Sequence, residues 1–486
     1  MGSQQRSSPT DIGKDRFADA VAIAEAVGGG AVSAEEVCRS ALARISEHEG
    51  LGAFTVVVAD DALGQAAAAD ARIREGERLA LAGVPVAVKD HIWVRGAPAT
   101  NGSRVLRDFV PEIDCVAVAR LREAGAVLIG KTNNPEFCYR GYTDSPLWGL
   151  TRNPWDHDRT PGGSSGGSAV AVATGMAALG IGTDGGGSIR IPAAFCGVVG
   201  HKPTFGVVPT LPGFRGWRTL SVHGPLARSV RDAALMLDVM AGPHPADDLT
   251  VPTLPSGPCP AEERLTGLRV AVSEDFGFAA VDAEVRAAFR ASVDRFAQLG
   301  CALVDAKPPT ADPLPIWWTI AAAEGFASEG PLLTNAEEMA TGSADIIRAG
   351  EHISARDYLE AQEQRGEFSR SWARYMQHVD LVLSPAEQVL PFAVGIPAPA
   401  TVEGRPSDPV FEDWWGMDAV ANLTNQPAIC VPAGLTTSGL PVGIQLMGRR
   451  FQDRLVLAAA AAWERHQPWR HLYADTLDRV ARAPRG

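Results

Sequence analysis

Glycine, serine and alanine dominate the stretch from residue 160 to residue 190. Such side chains let backbone segments approach closely, and glycine reaches backbone angles closed to other residues. A run of this kind is either a flexible linker or the tightly packed centre of a fold. Apolar helical sequence follows the Gly-Gly-Ser-Ser-Gly-Gly-Ser piece directly, which selects the packed alternative. Residues 168–179 are therefore expected to form a closely packed, buried helix.

The sequence on either side alternates between helical and strand patterns. Ser33 with Glu36 makes a capping-box pattern ahead of an amphipathic run to Glu49. Residues 54–58 read as strand, and an alanine-rich helix follows to about residue 77. Gly-Val-Pro-Val-Ala-Val-Lys at 83–89 reads as a buried strand ending at a lysine. Residues 114–125 read as helix and 126–130 as strand. Ser229 with Asp232 caps a helix, and the proline-rich, polar stretch 243–260 reads as a surface connector. Strands are expected at 268–273 and 302–305 around a helix at 282–299. A proline-rich loop at 308–316 precedes Trp317, Trp318 and helical sequence. Strands at 379–383, 428–432 and 441–447 and a helix at 454–466 close the pattern.

This alternation is that of an α/β protein. It divides into an N-terminal helical segment (1–80), a core (81–250), a looser helical, substrate-capping region (251–378) and a part completing the same domain (379–486). The 44 Lys and Arg against 57 Asp and Glu leave a net charge of −13, which argues against nucleic-acid binding. Apolar runs fall short of a membrane span. Residues 1–20 lack the apolar stretch of a secretory leader, so a cytoplasmic protein free of membranes is expected. The seven cysteines are scattered and never in CxxC pairs, a pattern of reduced, buried thiols. The ten histidines show no metal-ligand spacing, so no metal is expected.

Chemistry concentrates in three places: Pro161–Ser168, Thr183–Arg190 and Lys89. Three glycines precede Ser188. They let the backbone turn tightly and leave N–H groups unshielded, able to converge on an anion. A serine at the end of such a nest is placed to attack a carbonyl whose oxygen those groups hold. It needs a base, and no histidine stands in a recognisable triad pattern. A lysine serves if neutral, and burial favours the neutral form. Lys89 follows Val84, Val86 and Val88, which implies a buried stem. Rival motifs fit less well. Gly162-Gly163-Ser164-Ser165-Gly166 matches the short nucleophile-elbow pattern of serine esterases. A phosphate-binding loop needs lysine after Gly167, where the chain has Ser168.

Taken together, these blocks resemble the amidase-signature family. Gly-Val-Pro-Val-Ala-Val-Lys-Asp (83–90), Pro-Gly-Gly-Ser-Ser-Gly-Gly-Ser (161–168) and Thr-Asp-Gly-Gly-Gly-Ser-Ile-Arg (183–190) are similar to its three catalytic blocks, and the spacing of Ser164 and Ser188 agrees. Further likeness runs through 125–137, 192–209, 224–238 and 422–448, while 261–379 resembles the family only loosely. The resemblance implies one α/β domain with a mixed, twisted sheet of about eleven strands between helices. It implies Ser188 as nucleophile, Ser164 after a cis peptide bond as proton relay, and Lys89 as general base. The N–H groups of Gly185, Gly186, Gly187 and Ser188 would form the oxyanion hole. It implies no cofactor, a small-molecule amide substrate and a homodimer. Gly185 departs from the Thr, Ile or Val common at that position. Cys138 lies in a stretch that lines the substrate pocket of some members, and Trp415, with Trp317, Trp318 and Trp414, suggests an apolar or aryl acyl group.

Two other functions compete. The family includes glutaminase subunits of tRNA-dependent amidotransferases. Those carry Ser-x-Asp-x-x-Gly-Pro where this chain has Leu-Ser-Val-His-Gly-Pro, and an acid where it has Trp415, with Asp413 and Asp418 nearby. The other is a serine esterase with Ser164 as nucleophile and a histidine base.

Overall fold

The computed structural model describes residue 12 and residues 15–252, 265–408 and 413–473. Residues 1–11, connector residues 253–260 with Cys259, and the side chain of Asp413 lie outside the described residues.

The chain opens with α1 (Ala20–Gly28) and α2 (Ala34–Glu47). Ser33 and Glu36 satisfy each other's backbone N–H at the start of α2, as their spacing predicts. Next come β1 (Phe54–Val57), α3 (Ala59–Arg74), β2 (Pro85–Lys89), α4 (Val116–Glu123) and β3 (Val127–Thr132). A small hairpin, β4 (Asp144–Ser145) and β5 (Gly149–Leu150), precedes α5 (Gly166–Ala173), β6 (Leu179–Asp184) and α6 (Arg190–Cys196). Then follow β7 (Val199–Lys202), β8 (Val222–Ala227), α7 (Val230–Met240), β9 (Arg269–Val272), α8 (Ala283–Phe296) and β10 (Ala302–Val304). Helices α9 (Leu314–Glu329), α10 (Ser343–Ala349) and α11 (Ala355–Tyr375) lead to β11 (Leu381–Pro385) and the hairpin β12 (Thr401–Val402) and β13 (Arg405–Pro406). Helix α12 (Gly416–Leu423), β14 (Ala428–Leu435), β15 (Pro441–Gly448) and α13 (Asp453–His466) complete the trace.

Among the described residues, eleven strands form one mixed sheet in the order β1-β3-β2-β6-β8-β7-β14-β15-β11-β9-β10. Its centre, β2 beside β6, is parallel, and β6 pairs with β8 antiparallel. Every residue of β2, β3, β6 and β8 is buried. A sheet covered on both faces by helices requires this. The two strands of the 251–378 region, β9 and β10, extend the same sheet, with β9 parallel to β11. No described helix is long and apolar enough to cross a membrane.

The small-residue run is a helix and then a strand, and not one helix over 168–179. Helix α5 stops at Ala173, Gly175 turns at φ +73°, and β6 starts at Leu179. Strand β6 is buried on both faces and carries no alternation to reveal it. All eight residues of α5 are buried, and a Cβ on Gly167 would come within 2.5 Å of the backbone of Ala53 and Asn133. Small side chains here let the helix lie directly on the loop after β3. That contact brings the start of α5 to the end of β2, where Lys89 stands.

Candidate active site

Lys89 ends β2, Ser164 precedes α5, and Ser188 follows the glycine run after β6. The adjacent strands β2 and β6 bring the ends of these segments together. Lys89 is fully buried, with Nζ 2.6 Å from Ser164 Oγ and 2.7 Å from Thr183 Oγ1. Burial lowers its pKa below the ordinary lysine value, opposed in part by Cys138 and Asp184. The Gly163–Ser164 peptide is cis, as the resemblance implies. Ser165 ties the two loops together: its N–H donates to Ser188 O at 3.1 Å, and its hydroxyl to Thr183 O at 3.3 Å. Ser188 is 8% exposed and lines a narrow cleft.

The glycine run is shaped by a buried ionic network. Arg190 Nε and one terminal nitrogen donate to the Asp184 carboxylate at 2.9 and 3.0 Å. Its other terminal nitrogen lies 2.6 Å from Asp418 Oδ1. Asn422 and Gln445 accept its remaining hydrogens at 2.7 and 2.8 Å. Burial disfavours the charge on Asp184, but Arg190 outweighs it and holds this carboxyl well below its usual range. Asp184 in turn accepts from Gly187 N at 2.8 Å and Ile189 N at 3.2 Å, on either side of Ser188. Behind Arg190, Glu387 lies near Asp418, and burial raises both carboxyls.

Gly187 therefore differs from the sequence expectation. Its N–H is committed to Asp184, because the anchored carboxylate folds back beneath the turn. Gly187 instead supplies the conformation: φ is +111°, and a Cβ would lie 2.6 Å from Asp418 Oδ2. The backbone N–H groups of Gly185, Gly186 and Ser188 make no hydrogen bond to the described protein.

Cys138 lines the cleft beside Ser164, buried at φ +62°. Its Sγ is 3.5 Å from Asn101 Oδ1, and burial pushes the thiol up despite the nearby Lys89. Trp415 does not line the cleft. Its ring packs against Trp317 at 4.8 Å and sits behind Gly186, where a Cβ would lie 3.0 Å from it. Trp414 is core, stacked on Phe195. Trp317 is also buried, and its Nε1 donates to Gly185 O at 2.7 Å. These tryptophans support the glycine turn from behind because α9 and α12 pack there.

Other aromatic residues line the cleft: Trp93, Phe137, Tyr139, Phe214 and Trp217. Tyr139 stands next to Cys138 in the stretch already singled out, whereas sequence reading missed Phe214 and Trp217 because they lie in an irregular loop without periodic pattern. It also missed Thr183, Asp184 and Arg190, although all three stand in the Ser188 block, and Asn422 in the 422–448 block. His91 and His223 line the cleft too, but burial holds them down, to about 4 and about 3. His91 Nδ1 faces Asn101 Oδ1 at 3.0 Å, and the described partner of the Ser164 hydroxyl is Lys89.

A buried lysine, two serines on neighbouring loops and a glycine turn meet at one cleft, the arrangement that the resemblance to the amidase-signature family implies. The comparisons agree. The amidase family model matches residues 36–457, and the chain belongs to that family. It is 40% identical over 402 residues to an acylamidase of Rhodococcus erythropolis, covering 81% of this chain and 83% of that protein. It is also 40% identical over 466 residues to a glutamyl-tRNA(Gln) amidotransferase subunit of Anaeromyxobacter dehalogenans, covering 90% and 93%. Among solved structures, a bacterial aryl acylamidase of the amidase-signature family superposes with a TM-score of 0.88 at 30% identity, covering 96% and 99%. The 6-aminohexanoate cyclic dimer hydrolase in complex with substrate gives 0.85 at 29% identity, covering 94% and 98%. The chain is thus an amidase-signature hydrolase.

Proposed function

We propose that this amidase hydrolyses the C–N bond of carboxylic amides through an acyl-enzyme on Ser188. The observation that carries this reading is the fully buried Lys89, whose Nζ meets two neutral hydroxyls, at 2.6 and 2.7 Å. Desolvation favours the neutral amine, no carboxylate pairs directly with Nζ, and a neutral amine is a base. Lys89 takes the proton of Ser164, Ser164 takes that of Ser188, and Ser188 attacks the amide carbon. The carbonyl oxygen becomes an oxyanion held by the N–H groups of Gly185, Gly186 and Ser188. The proton returns through Ser164 to the amide nitrogen, the C–N bond breaks and the amine departs. Water then attacks the ester with the same relay as base, releasing the acid and restoring Ser188.

The aromatic lining of the cleft supports an apolar or aryl acyl amide, and the same site suits esters. The test is labelling with a fluorophosphonate followed by peptide mass mapping. The expected adduct is on Ser188, slowed in Lys89→Ala and Ser164→Ala. An adduct on Ser164 that survives Ser188→Ala would transfer the case to the esterase reading.

The second reading, a glutaminase component of a tRNA-dependent amidotransferase, rests on the likeness to the Anaeromyxobacter protein over 90% of the chain. Trp415 weighs against it, since this residue packs behind Gly186 where that reading calls for an acid. Glutamine hydrolysis that requires copurified partner proteins and tRNA would decide for it.

A further inference from the structure

The first glycine of the nest is crowded by a side chain from another part of the chain. A Cβ on Gly185 would lie 2.8 Å from Trp217 Cε3 and 2.8 Å from Ser221 Oγ. Carbon atoms in ordinary contact stand about 3.5–4.0 Å apart, so the indole already occupies the space above Gly185. The ring is fixed on two sides. It stacks on Tyr139 at 5.4 Å and 12°, and meets Trp317 edge-on at 4.9 Å and 79°. The loop carrying it is fastened to α9 and α11. Gly216 N donates to Ser328 Oγ at 2.9 Å, Thr219 N to Glu324 Oε2 at 3.0 Å, and Arg365 to Thr219 O at 3.0 Å. Trp217, Gly185 and Ser188 all line the cleft.

A substrate carbonyl bound at Gly185 and Ser188 therefore places the neighbouring atoms of its acyl group against a rigid aromatic wall. A flat ring stacks on such a wall with its centroid in the usual range of about 4.5–7 Å. A quaternary carbon next to the carbonyl projects a methyl group into it. Resting on the amidase reading above, we propose that Trp217 determines acyl specificity, admitting planar aryl and unbranched acyl groups and excluding α-branched ones.

The test uses the 4-nitroanilides of acetic, benzoic and 2,2-dimethylpropanoic acids with wild type, Trp217→Ala and Trp217→Leu. The readout is the ratio of kcat/KM for the benzoyl and dimethylpropanoyl substrates. Removing the indole should shift this ratio by at least about tenfold, as expected when a close steric contact in an apolar pocket is relieved. The shift should come from faster turnover of the branched substrate. In a second arm, Gly185→Val should lose turnover through its clash with the indole and the Ser221 hydroxyl, and adding Trp217→Ala, which relieves the first of these, should restore at least about tenfold of it. A variant that still labels on Ser188 but keeps the wild-type ratio overturns the proposal. Trp217→Leu decides by the same criterion if Trp217→Ala fails to label. Absence of any Ser188-dependent anilide turnover in wild type overturns the amidase reading and this proposal with it.

Discussion

Removing Arg190 should unfold the site from within. This side chain is fully buried and joins Asp184, Asp418, Asn422 and Gln445. Taking one partner from a buried ion pair costs about 3–5 kcal/mol, because the remaining charge is left uncompensated. The side-chain oxygens of Asn422 and Gln445 lose donors, at about 1 kcal/mol each. Asp418 offsets part of the loss by holding a proton, since burial and the nearby Asp184 charge already favour its neutral form. Arg190→Ala is therefore expected to lose about 5 kcal/mol at pH 7. Tryptophan fluorescence in a urea titration measures it.

The pH dependence has a definite sign. In wild type the Asp184 pKa is depressed, so its contribution is complete above the unfolded value near 4 and is lost as pH falls through the folded value. Without Arg190 the main group opposing desolvation is gone, and although Lys202, Asn422 and the amides of Gly187 and Ile189 still favour the charge, the Asp184 pKa rises above its wild-type position. The variant therefore loses less stability than wild type as Asp184 is titrated by acid. The stability gap between variant and wild type should narrow as pH falls towards the unfolded value near 4. Activity should fall by at least about 100-fold, comparable to losing one oxyanion donor, because Asp184 orients the amides on both sides of Ser188. A loss under about 1 kcal/mol, or a gap that does not narrow as pH falls towards about 4, would refute this account of the network.

Four further outcomes follow. Lys89→Met should lower kcat about 10³-fold, within the range for general acid–base catalysis, with the protein still folded; retention of most anilide turnover would exclude Lys89 as the base. Wild-type kcat/KM should fall with unit slope as pH drops through the pKa of Lys89, which burial places below the ordinary lysine value, and Lys89→Met should lose that limb. Gly187→Ala should abolish most activity, since the residue sits at φ +111° and its new Cβ would lie 2.6 Å from Asp418 Oδ2; steady-state rates and the urea midpoint check this. Tyr139→Phe leaves the buried Glu329 without the donor now at 2.6 Å and should cost about 1–3 kcal/mol in the same titration.

The fold and the serine–lysine cluster are legible because both rest on local sequence. Capping pairs such as Ser33 with Glu36 mark helix starts within four residues, and the blocks around Lys89, Ser164 and Ser188 are continuous. Strand β6 is hidden because a strand buried on both faces shows no alternation. Strand β8 contains Pro225, which ordinarily argues against a central strand, so its sequence reads only as the approach to α7.

The larger gap lies in what surrounds the serines. The tryptophans at 317 and 415 read as pocket residues because adjacent aromatic residues attract attention, yet their neighbours are fixed by the packing of α9 and α12 behind the glycine turn. Trp217 stands alone in an irregular loop, and only the fold brings it over Gly185. The same holds for Gly187. Its letter announces a donor in a glycine run, but Asp184, anchored by Arg190, has already taken its hydrogen. Reaction type is thus written in short contiguous blocks, whereas the shape of the substrate is set by residues distant in sequence. A glycine nest forms only when every neighbour leaves it room, and here those neighbours come from β6, α9, α12 and the loop before β8.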